Sequence, residues 1–536
     1  MMRINLRLKE RKLQLLMLIY MLMFVPIVSF LARNVPPGVV VQGIMASICL
    51  TVVVFVLTTF MSTRGLRIFY SGLLAITLIP GAVLLGYLLF AKVLLSDGSM
   101  AALFETNISE SREFIVYYMN PWVTLGIALY ILVPVIFIFK MKNIACHNIR
   151  EHKKTFATCI MLLFLFCAVE PFAQRIYFVD FYRVFAEYKL RTLLEERAIE
   201  SRMAQPFEVA VSEVEAPQTL VVVIGESLSR SHLSLYGYER DTNPLLSARR
   251  QSLKIYTDVV APQVHTIPVM RSILTFADET HPEYLTSRPS LFELFNRAGY
   301  DTYLISNQPF EDGSSSYEPL LRMARHTLDL SSNDEPDGTL LPALQQALDN
   351  PARKLIVLHL MGSHSVYKFR YPQSFDRFSH PAIEINTIAD QHKDDVETII
   401  DEYDNSVLYN DFMIATILDL LQKKGGKTAM IYFSDHGEEV YDFRDFAGHA
   451  YEKTSTYMCD VPFIVWTSPQ FDARRSDLIY NEKAPYSTTD ILYSLSDIGG
   501  LRFEGFDSSR SIFSPQFAPR KRFVGDIPYD EISFGK

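Results

Sequence analysis

Long apolar stretches dominate the first third of the chain. They lie at 13–31, 39–61, 69–90, 122–139 and 155–171. A helix needs about 20 apolar residues to cross a bilayer, and each stretch is close to that length. The first stretch follows basic residues but has no small-residue cleavage site, which is typical of an uncleaved anchor rather than a signal peptide. The pattern predicts a five-helix transmembrane bundle within residues 1–175.

Charges in the connecting loops predict the orientation of this bundle. Basic residues cluster before the first stretch, after the second, and between the fourth and fifth, whereas the alternate loops carry few. Because cytoplasmic loops carry the excess of lysine and arginine, the N-terminus is expected in the cytoplasm. An odd number of crossings then places everything after about residue 175 outside the cytoplasm.

Residues 176–204 mix aromatic side chains with basic ones such as Arg183 and Lys189. A helix lying at the membrane interface would have this composition, and so would an ordinary linker helix. The remaining residues, 205–536, are expected to form the exported domain.

Apolar runs and helical patterns alternate through the exported domain. The runs that predict strands lie at 220–224, 302–305, 355–360, 429–433 and 462–466. Alternation of this kind predicts an α/β domain with a mostly parallel central sheet. Ligands of such sheets bind where the strands end at their carboxyl side, so residues at those ends are the first candidates for chemistry.

Composition narrows the class of protein. Of 536 residues, 49% are hydrophobic, the net charge is −9 and the mean hydropathy is +0.12. That hydropathy is too high for an ordinary soluble enzyme, and the modest acidity excludes a strongly basic nucleic-acid binder. Only Cys459 among five cysteines lies in the exported domain, which therefore has no internal disulfide. A domain of about 330 residues buries enough core without one, so this is compatible with the periplasm.

An acid and an imidazole stand side by side where one predicted strand ends. A β-rich apolar run leads into Asp435 and His436, and Gly437 then permits a sharp turn. Another apolar run ends at Glu226. Zinc favours carboxylate and imidazole ligands. Two acid-bearing strand ends far apart in sequence therefore suggest one metal site, against the alternative that each acid lies in a surface turn.

Two hydroxyls could act as a nucleophile beside this metal. A serine or threonine hydroxyl needs activation, and coordination to zinc supplies it by lowering the hydroxyl pKa. Ser227 directly follows Glu226, whereas Thr266 lies in a separate segment after another predicted strand. The chemistry alone leaves the choice open. Alternation along an extended strand end would turn Ser227 away from the side of Glu226, which favours Thr266.

Two histidines lie in loops expected at the same edge of the sheet. His364 follows another predicted strand, and His449 lies a short loop beyond His436. Each histidine alone is more often a hydrogen-bonded structural residue than a functional one. Their functional interpretation is proton transfer to a leaving group, phosphate binding or a second metal.

Four motifs together resemble those of the phosphoethanolamine transferases. They are Gly225-Glu226-Ser227, Leu235-Tyr236-Gly237-Tyr238-Glu239-Arg240-Asp241-Thr242-Asn243-Pro244, Met361-Gly362-Ser363-His364 and Ser434-Asp435-His436-Gly437-Glu438. Members of this family are inner-membrane enzymes with five spans and a periplasmic domain of the alkaline phosphatase/sulfatase fold. The resemblance implies phosphatidylethanolamine as donor, a threonine as carrier of the phosphoethanolamine intermediate, and a hydroxyl of lipopolysaccharide or lipid A as acceptor.

The resemblance also implies a zinc-ligand set. Glu226, Thr266, Asp435 and His436 match the family's zinc ligands, and Thr266 is in addition the nucleophile. One zinc site is expected, and the nearby histidines leave room for a second.

Contacts to substrate are implied in the same way. His364 and His449 match histidines that bind the substrate phosphate. Thr106 and Glu110 resemble the family's periplasmic loop that meets the lipid headgroup. A polar connector between two spans would have a similar sequence. Membrane lipids and the glycolipid acceptor are the expected partners of a monomer, and nucleic acid is not one.

Two departures from the lipid A-modifying members shift the expected acceptor. Those members usually have several disulfides in the catalytic domain and a lysine near the phosphate. This chain has one cysteine there and no lysine between Tyr303 and Arg322. The segments 266–279 and 367–372 look closer to members that modify the heptose of the lipopolysaccharide core. Core heptose is therefore favoured over lipid A, by family analogy rather than by site chemistry.

Three other functions fit parts of the pattern. Lipoteichoic acid synthases share the layout but transfer glycerol phosphate and lack the Tyr-Gly-Tyr-x-Arg-x-Thr-x-Pro signature. A serine hydrolase would use an elbow at 225–229, which lacks the final glycine and leaves Asp435 and His436 without a shared role. A non-catalytic membrane scaffold would have no reason to combine Glu226 and Thr266 with that pair.

Overall fold

The chain folds into two compact units, Met1–Arg191 and Thr192–Lys536. The computed structural model describes residues 2–31, 36–91, 95, 100, 103–104, 121–141, 147–148, 150–168, 174–212, 215–310, 316–333, 335–379 and 393–532.

Helices make up most of the described part of the first unit. They are α1 (Met2–Val28), α2 (Pro37–Thr58), α3 (Thr63–Ala91), α4 (Pro121–Lys140), α5 (Lys153–Ala168) and α6 (Tyr177–Met203), the last of which continues into the second unit. Within the described ranges, four helices are long and apolar enough to cross a membrane: α1 to α4. The fifth predicted stretch contains α5, which is described over 16 residues and is not among these four. The fifth span therefore stays a prediction.

Polar side chains in the first unit are paired with backbone groups of neighbouring helices. Arg11 of α1 donates to the carbonyl oxygens of Thr58 and Thr59 at the end of α2, at 3.4 and 3.2 Å. The Tyr70 hydroxyl of α3 donates to the carbonyl oxygen of Gln14, at 3.1 Å. Such bonds satisfy polar groups that a lipid environment could not, so they favour a packed bundle of helices.

The second unit alternates short helices and strands. Its helices are α7 (Pro244–Ser247), α8 (Thr266–Ile273), α9 (Tyr284–Ser287), α10 (Leu291–Arg297), α11 (Glu318–Leu321), α12 (Leu341–Asp349), α13 (Lys393–Lys424), α14 (Thr456–Cys459), α15 (Pro469–Asp472) and α16 (Ile491–Ile498). Its strands are β1 (Val209–Val211), β2 (Thr219–Gly225), β3 (Lys254–Tyr256), β4 (Val259–Val260), β5 (Asp301–Ser306), β6 (His326–Asp329), β7 (Lys354–His359), β8 (Thr428–Ser434), β9 (Glu439–Val440), β10 (Ala447–Gly448), β11 (Phe463–Thr467), β12 (Tyr486–Ser487), β13 (Leu501–Phe503), β14 (Phe523–Val524) and β15 (Ile527–Pro528).

Seven strands form a mixed central sheet in the order β3-β11-β8-β2-β7-β5-β6. Five of these strands, β8, β2, β7, β5 and β6, run parallel to one another. β11 runs antiparallel to both β8 and β3. The apolar run at 462–466 thus forms a strand as predicted, but its direction could not be read from the sequence, because an apolar run looks the same in either direction.

Both faces of the sheet are covered. Every residue of β2 is buried. Leu220, Val222 and Ile224 belong to the apolar cluster on one face, and Val221 and Val223 to the cluster on the other. Alternate side chains of a strand point to opposite faces, so a strand covered on both sides reads as a continuous apolar run. Each such side chain contributes about 1.5–3 kcal/mol on burial, which makes β2 a firm support for the residues that follow it.

The carboxyl ends of β2 and β8 lie side by side. Gly225 pairs with Ser434, so the next residue on each strand, Glu226 and Asp435, leaves the sheet at the same level. The loop after β7 packs against the same point. Gly362 in that loop has φ +53, and a Cβ there would lie 2.7 Å from the Glu226 carbonyl oxygen. Only glycine permits this close approach of the backbone.

Candidate metal centre and active site

Three predicted ligands converge at the carboxyl ends of β2 and β8. Glu226, Asp435 and His436 each offer an atom within 4.8 Å of the others, and all three are fully buried. His436 Nε2 is 3.3 Å from Glu226 Oε1 and 3.4 Å from Asp435 Oδ2. The predicted convergence of the two strand ends is therefore present in the fold.

Thr266 brings a hydroxyl to the same point from a different element. It is the first residue of α8 and remains partly exposed. Its Oγ1 lies 3.2 and 3.0 Å from the two carboxylate oxygens of Glu226 and 3.3 Å from His436 Nε2. A hydroxyl with these neighbours lies where a fourth ligand of a shared cation would be.

Ser227 differs from the geometry expected for it. An extended strand end would turn its side chain away from that of Glu226, but Ser227 has φ +55, in the left-handed region that non-glycine residues rarely adopt. Its Oγ consequently donates to Glu226 Oε1 at 2.9 Å, and its N–H donates to Asp435 Oδ1 at 3.1 Å. Both hydroxyls therefore contact Glu226. They differ in access, because Ser227 is fully buried and Thr266 is not.

Hydrogen bonding fixes the His436 ring with one nitrogen toward the acids. Its Nδ1 lies 2.8 Å from the Gly437 carbonyl oxygen, which can only accept, so Nδ1 carries the proton. Nε2 then faces Glu226 and Asp435, and once it gives up its proton it has a lone pair to offer a cation there. Holding an imidazole by its other ring nitrogen is how proteins orient histidine ligands of metals.

The electrostatics of the cluster fit a divalent cation. Burial raises the pKa of Asp435, and the charge of Glu226 raises it further. Burial opposes ionisation of Glu226 too, but the charge of His436 lowers its pKa. Burial alone would lower the pKa of His436, whereas the charges of Asp435 and Glu226 raise it to about 10. Two adjacent buried carboxylates thus demand positive charge, and the oxygen and nitrogen donors suit zinc.

One orphaned atom supports the same assignment. Asp435 Oδ2 is buried and has no hydrogen-bond partner among the described residues. Leaving a buried carboxylate oxygen unpaired is costly, so this atom is expected to have a ligand. A metal ion between Asp435, Glu226 and His436 would supply it.

Gln308 also contacts the centre, and sequence reasoning assigned it no role. It follows β5, and its Nε2 donates to Glu226 Oε2 at 2.9 Å and to the Leu360 carbonyl oxygen at 2.8 Å. It lies in the segment where this chain lacks the lysine expected from the lipid A-modifying members. Its position just past the end of a predicted strand was the signal that could have identified it.

His449 lies directly beside the cluster. Its ring centroid is 4.4 Å from that of His436, and its Nδ1 is 2.6 Å from Glu438 Oε2. Glu438 Oε1 accepts a hydrogen bond from the Tyr367 hydroxyl at 2.7 Å. His436, Glu438 and His449 form a second group with metal-ligand spacing. Glu438 is the last residue of the motif at 434–438, and the sequence predicts no role for it.

His364 and His265 complete a group of imidazoles around the site. His364 follows β7 in the loop anchored by the Ser363 N–H, which donates to the Glu226 carbonyl oxygen at 2.9 Å. Burial lowers the pKa of His364 to about 4, so its ring is neutral at pH 7. His265 packs 4.8 Å from the ring of His449, and burial lowers its pKa as well. The contact of His265 was not foreseen.

Two further predicted residues, Thr106 and Glu110, lie outside the described residues. Their suggested contact with a lipid headgroup stays a prediction.

Comparison with known proteins agrees with this fold. Residues 218–501 match the sulfatase family model, and the chain belongs to that family. Within it, the chain belongs with the phosphoethanolamine transferases. It is 29% identical over 484 residues to phosphoethanolamine transferase EptC of Escherichia coli K12, covering 82% of each chain.

Two solved structures extend the comparison. The C-terminal periplasmic domain of EptC from Escherichia coli, in a complex with Zn, is 31% identical, with a TM-score of 0.57. The match covers 62% of this chain and 98% of that one. The integral membrane protein lipooligosaccharide phosphoethanolamine transferase A from Neisseria meningitidis shares the fold, with 18% identity and a TM-score of 0.62. That match covers 87% of this chain and 91% of the other.

Proposed function

We propose that this protein transfers phosphoethanolamine from phosphatidylethanolamine to a hydroxyl of lipopolysaccharide, through a covalent intermediate on Thr266. One observation carries the proposal: a partly exposed threonine hydroxyl lies 3.0–3.3 Å from a buried carboxylate and an imidazole nitrogen that are themselves spaced as metal ligands. That combination supports an activated nucleophile more directly than a structural turn, and the family membership of the chain agrees with it.

Glu226, Thr266, Asp435 and His436 would hold one zinc ion. Zinc in such a site lowers the pKa of a coordinated hydroxyl and withdraws charge from a phosphoryl oxygen. The complex of an EptC domain with Zn supports this choice of metal. A second ion could fit between His436, Glu438 and His449 by spacing. However, both oxygens of Glu438 already have partners, since one pairs with His449 and the other accepts from Tyr367.

The reaction has two displacements at phosphorus. In the first, Thr266 Oγ1 gives up its proton and bonds to the phosphorus of the donor, while the bond from phosphorus to the diacylglycerol oxygen breaks and diacylglycerol leaves with a proton. In the second, a sugar hydroxyl gives up its proton and its oxygen bonds to phosphorus, while the bond from phosphorus to the threonine oxygen breaks and Thr266 regains a proton. The intermediate would lie at the N-terminus of α8, where the helix dipole favours a negatively charged group.

His364 and His449 are proposed to bind the phosphate, and His449 is proposed to provide the proton that diacylglycerol takes as it leaves. An alkoxide is a poor leaving group, and a positioned imidazole contributes about 10²–10⁴-fold to such a step. His449 is held through Nδ1 by Glu438, which leaves its other nitrogen for this task. Thr106 and Glu110 are proposed to meet the lipid headgroup.

The proposed setting is the inner membrane, with residues 1–175 as the membrane domain, 176–204 as an interfacial helix and 205–536 as the periplasmic domain. The four apolar helices support a membrane protein, and the basic loops support a cytoplasmic N-terminus. A reporter that is active only in the cytoplasm, fused after Lys536, should stay silent. A signal from it would reverse the orientation.

Core heptose is the proposed acceptor, with lipid A as the alternative. The single cysteine of the exported domain and Gln308 in the segment that holds a lysine elsewhere support core sugar by family analogy. Mass spectrometry of lipopolysaccharide from a deletion strain, with core and lipid A separated, decides between them. Loss of phosphoethanolamine from lipid A alone would reverse the assignment.

Trapping the intermediate tests the proposed chemistry. The full-length protein in detergent, incubated with phosphatidylethanolamine, should gain the mass of one phosphoethanolamine group. Thr266→Ala should lose this adduct, whereas Ser227→Ala should retain it because Ser227 is fully buried. An adduct that survives in Thr266→Ala but disappears in Ser227→Ala would make Ser227 the nucleophile.

A further inference from the structure

A buried histidine outside the metal centre, His232, lies between two acidic side chains. Its Nδ1 is 2.8 Å from Asp404 Oδ1 on α13, and its Nε2 is 3.1 Å from Asp442 Oδ1 in the loop after β9. The His232 side chain is 3% exposed. Since a carboxylate accepts at each ring nitrogen, both nitrogens carry a proton and the ring is an imidazolium.

Asp442 continues this chain of contacts toward His449. Its second oxygen, Oδ2, accepts a hydrogen bond from the Val440 N–H at 2.8 Å. Val440 pairs with Ala447 in the two-stranded sheet of β9 and β10, and that sheet ends one residue before His449. Three consecutive contacts therefore link the His232 ring to the backbone that carries His449.

The turn between β9 and β10 has a strained backbone, which the contacts of Asp442 hold in place. Tyr441 has φ +59, in the left-handed region, and its N–H donates to the Phe446 carbonyl oxygen at 2.9 Å. A non-glycine residue stays in that region only when its surroundings hold it there. Asp442, the next residue, is tied on one side to His232 and on the other to Val440, so it holds the turn at its strained point.

We propose that His232 is a positioning residue, whose contact with Asp442 fixes the β9–β10 hairpin and thereby the orientation of His449 beside His436. The inference rests on the proposed function, in which His449 provides the proton for the leaving diacylglycerol. His232 touches none of the reacting atoms in this account. It acts through Asp442 and the hairpin.

The same cluster provides a matched control. Arg240 is a second buried cation, and its Nη1 lies 2.9 Å from Asp404 Oδ2 and 2.7 Å from Asp401 Oδ1, both on α13. Arg240→Gln therefore removes a buried cation from the cluster without removing the tether of Asp442. His232→Gln removes that tether. A general loss of stability should follow from both changes, whereas a loss of hairpin position should follow only from the second.

The test compares two leaving groups in the full-length protein. Phosphatidylethanolamine releases an alkoxide that needs a proton, whereas p-nitrophenyl phosphoethanolamine releases a phenolate that does not. His232→Gln should slow turnover of the lipid about tenfold or more, while it changes turnover of the aryl ester by less than about threefold. Arg240→Gln should change both rates by a similar small factor.

Two further variants test whether His232 acts through Asp442 and His449. His232→Gln combined with His449→Ala should be no slower on the lipid than His449→Ala alone, because both changes remove one function. If His232→Gln does not fold, Asp442→Asn serves instead, since it retains an oxygen for Val440 and weakens only the pair with His232. Asp442→Asn should show the same selective loss on the lipid.

Equal slowing of both substrates, or additive effects in the double variant, would overturn the positioning role. That outcome leaves the proposed function intact, because wild-type turnover of phosphatidylethanolamine is measured in the same series. A wild-type protein that forms no phosphoethanolamine adduct would overturn the proposed function and this inference together.

Discussion

Glu438 Oε2 lies 2.6 Å from His449 Nδ1, and the other oxygen of the same carboxylate accepts a hydrogen bond from Tyr367. The acid is buried and the imidazole is 20% exposed. A carboxylate held by a second donor cannot rotate freely, so it fixes the plane of the imidazole and leaves Nε2 for a ligand. The pair has the geometry of an oriented proton donor at the rim of the candidate metal site.

Replacement of His449 or His364 by Ala should reduce turnover of phosphatidylethanolamine at least about tenfold, which corresponds to roughly 1.4 kcal/mol of barrier. Both residues lie in loops, so the melting temperature and bound zinc should stay nearly unchanged. His281→Ala is the matched control, because that side chain is 46% exposed and its Nδ1 lies 3.4 Å from Asp278 Oδ1. Unfolded variants, or unchanged turnover, would return both histidines to a structural role.

Replacement of Asp435 by Ala should abolish turnover and strongly lower the zinc content of the purified protein. The change removes one of the proposed ligands, whose donor atom lies within 4.8 Å of those of Glu226 and His436. Zinc is measured by elemental mass spectrometry on the full-length protein. Asp411→Asn, at a buried acid on α13 that accepts two backbone N–H groups, should keep its zinc. Full zinc content in Asp435→Ala would contradict the assignment.

Replacement of Gln308 by Leu should lower zinc affinity about 10- to 100-fold, because residues that orient a ligand usually have effects of that size. The amide of Gln308 donates to Glu226 Oε2 and thereby holds the carboxylate in place. Competition with a chelator measures the affinity. Gln345→Leu, at a partly exposed residue of α12 whose amide donates to Asp349, is the control. Equal affinities of the two variants would show that Glu226 needs no such support.

Stability should depend on pH through His232. Burial alone would lower the pKa of this imidazole, but the charges of Asp442 and Asp404 raise it to about 10. The folded pKa lies above the ordinary histidine value of 6.5, so the contribution to stability is complete below about pH 6.5 and is lost as the pH rises toward 10. The melting temperature of the wild type should therefore fall more steeply between about pH 7 and 10 than that of His232→Gln.

Thermal unfolding of the two proteins at matched pH values checks this. Burial and the charge of Asp404 raise the pKa of Tyr238, which donates to Asp404, so this hydroxyl keeps its proton across the tested range. Parallel curves over the whole range would mean that His232 is not charged in the folded protein.

The sequence alone determined the strand ends that carry Glu226, Asp435 and His436. A continuous apolar run predicts a strand covered on both faces, and parallel neighbours bring their carboxyl ends to one edge. The apolar stretches predicted the long helices of the first unit for an equally local reason, since a membrane-crossing helix is recognised by length and hydropathy. Each of these features depends on residues adjacent in the chain.

The tertiary structure alone decided which other side chains contact Glu226, Asp435 and His436. Thr266 is 40 residues from Glu226 and Gln308 is 82, and nothing in local sequence fixes distances of that kind. Ser227 turned toward Glu226 because its backbone lies in the left-handed region, which the residue type does not predict. The antiparallel direction of β11 is a property of the connection rather than of the apolar run. Periodicity reports what one element buries, whereas a site depends on several elements packed together.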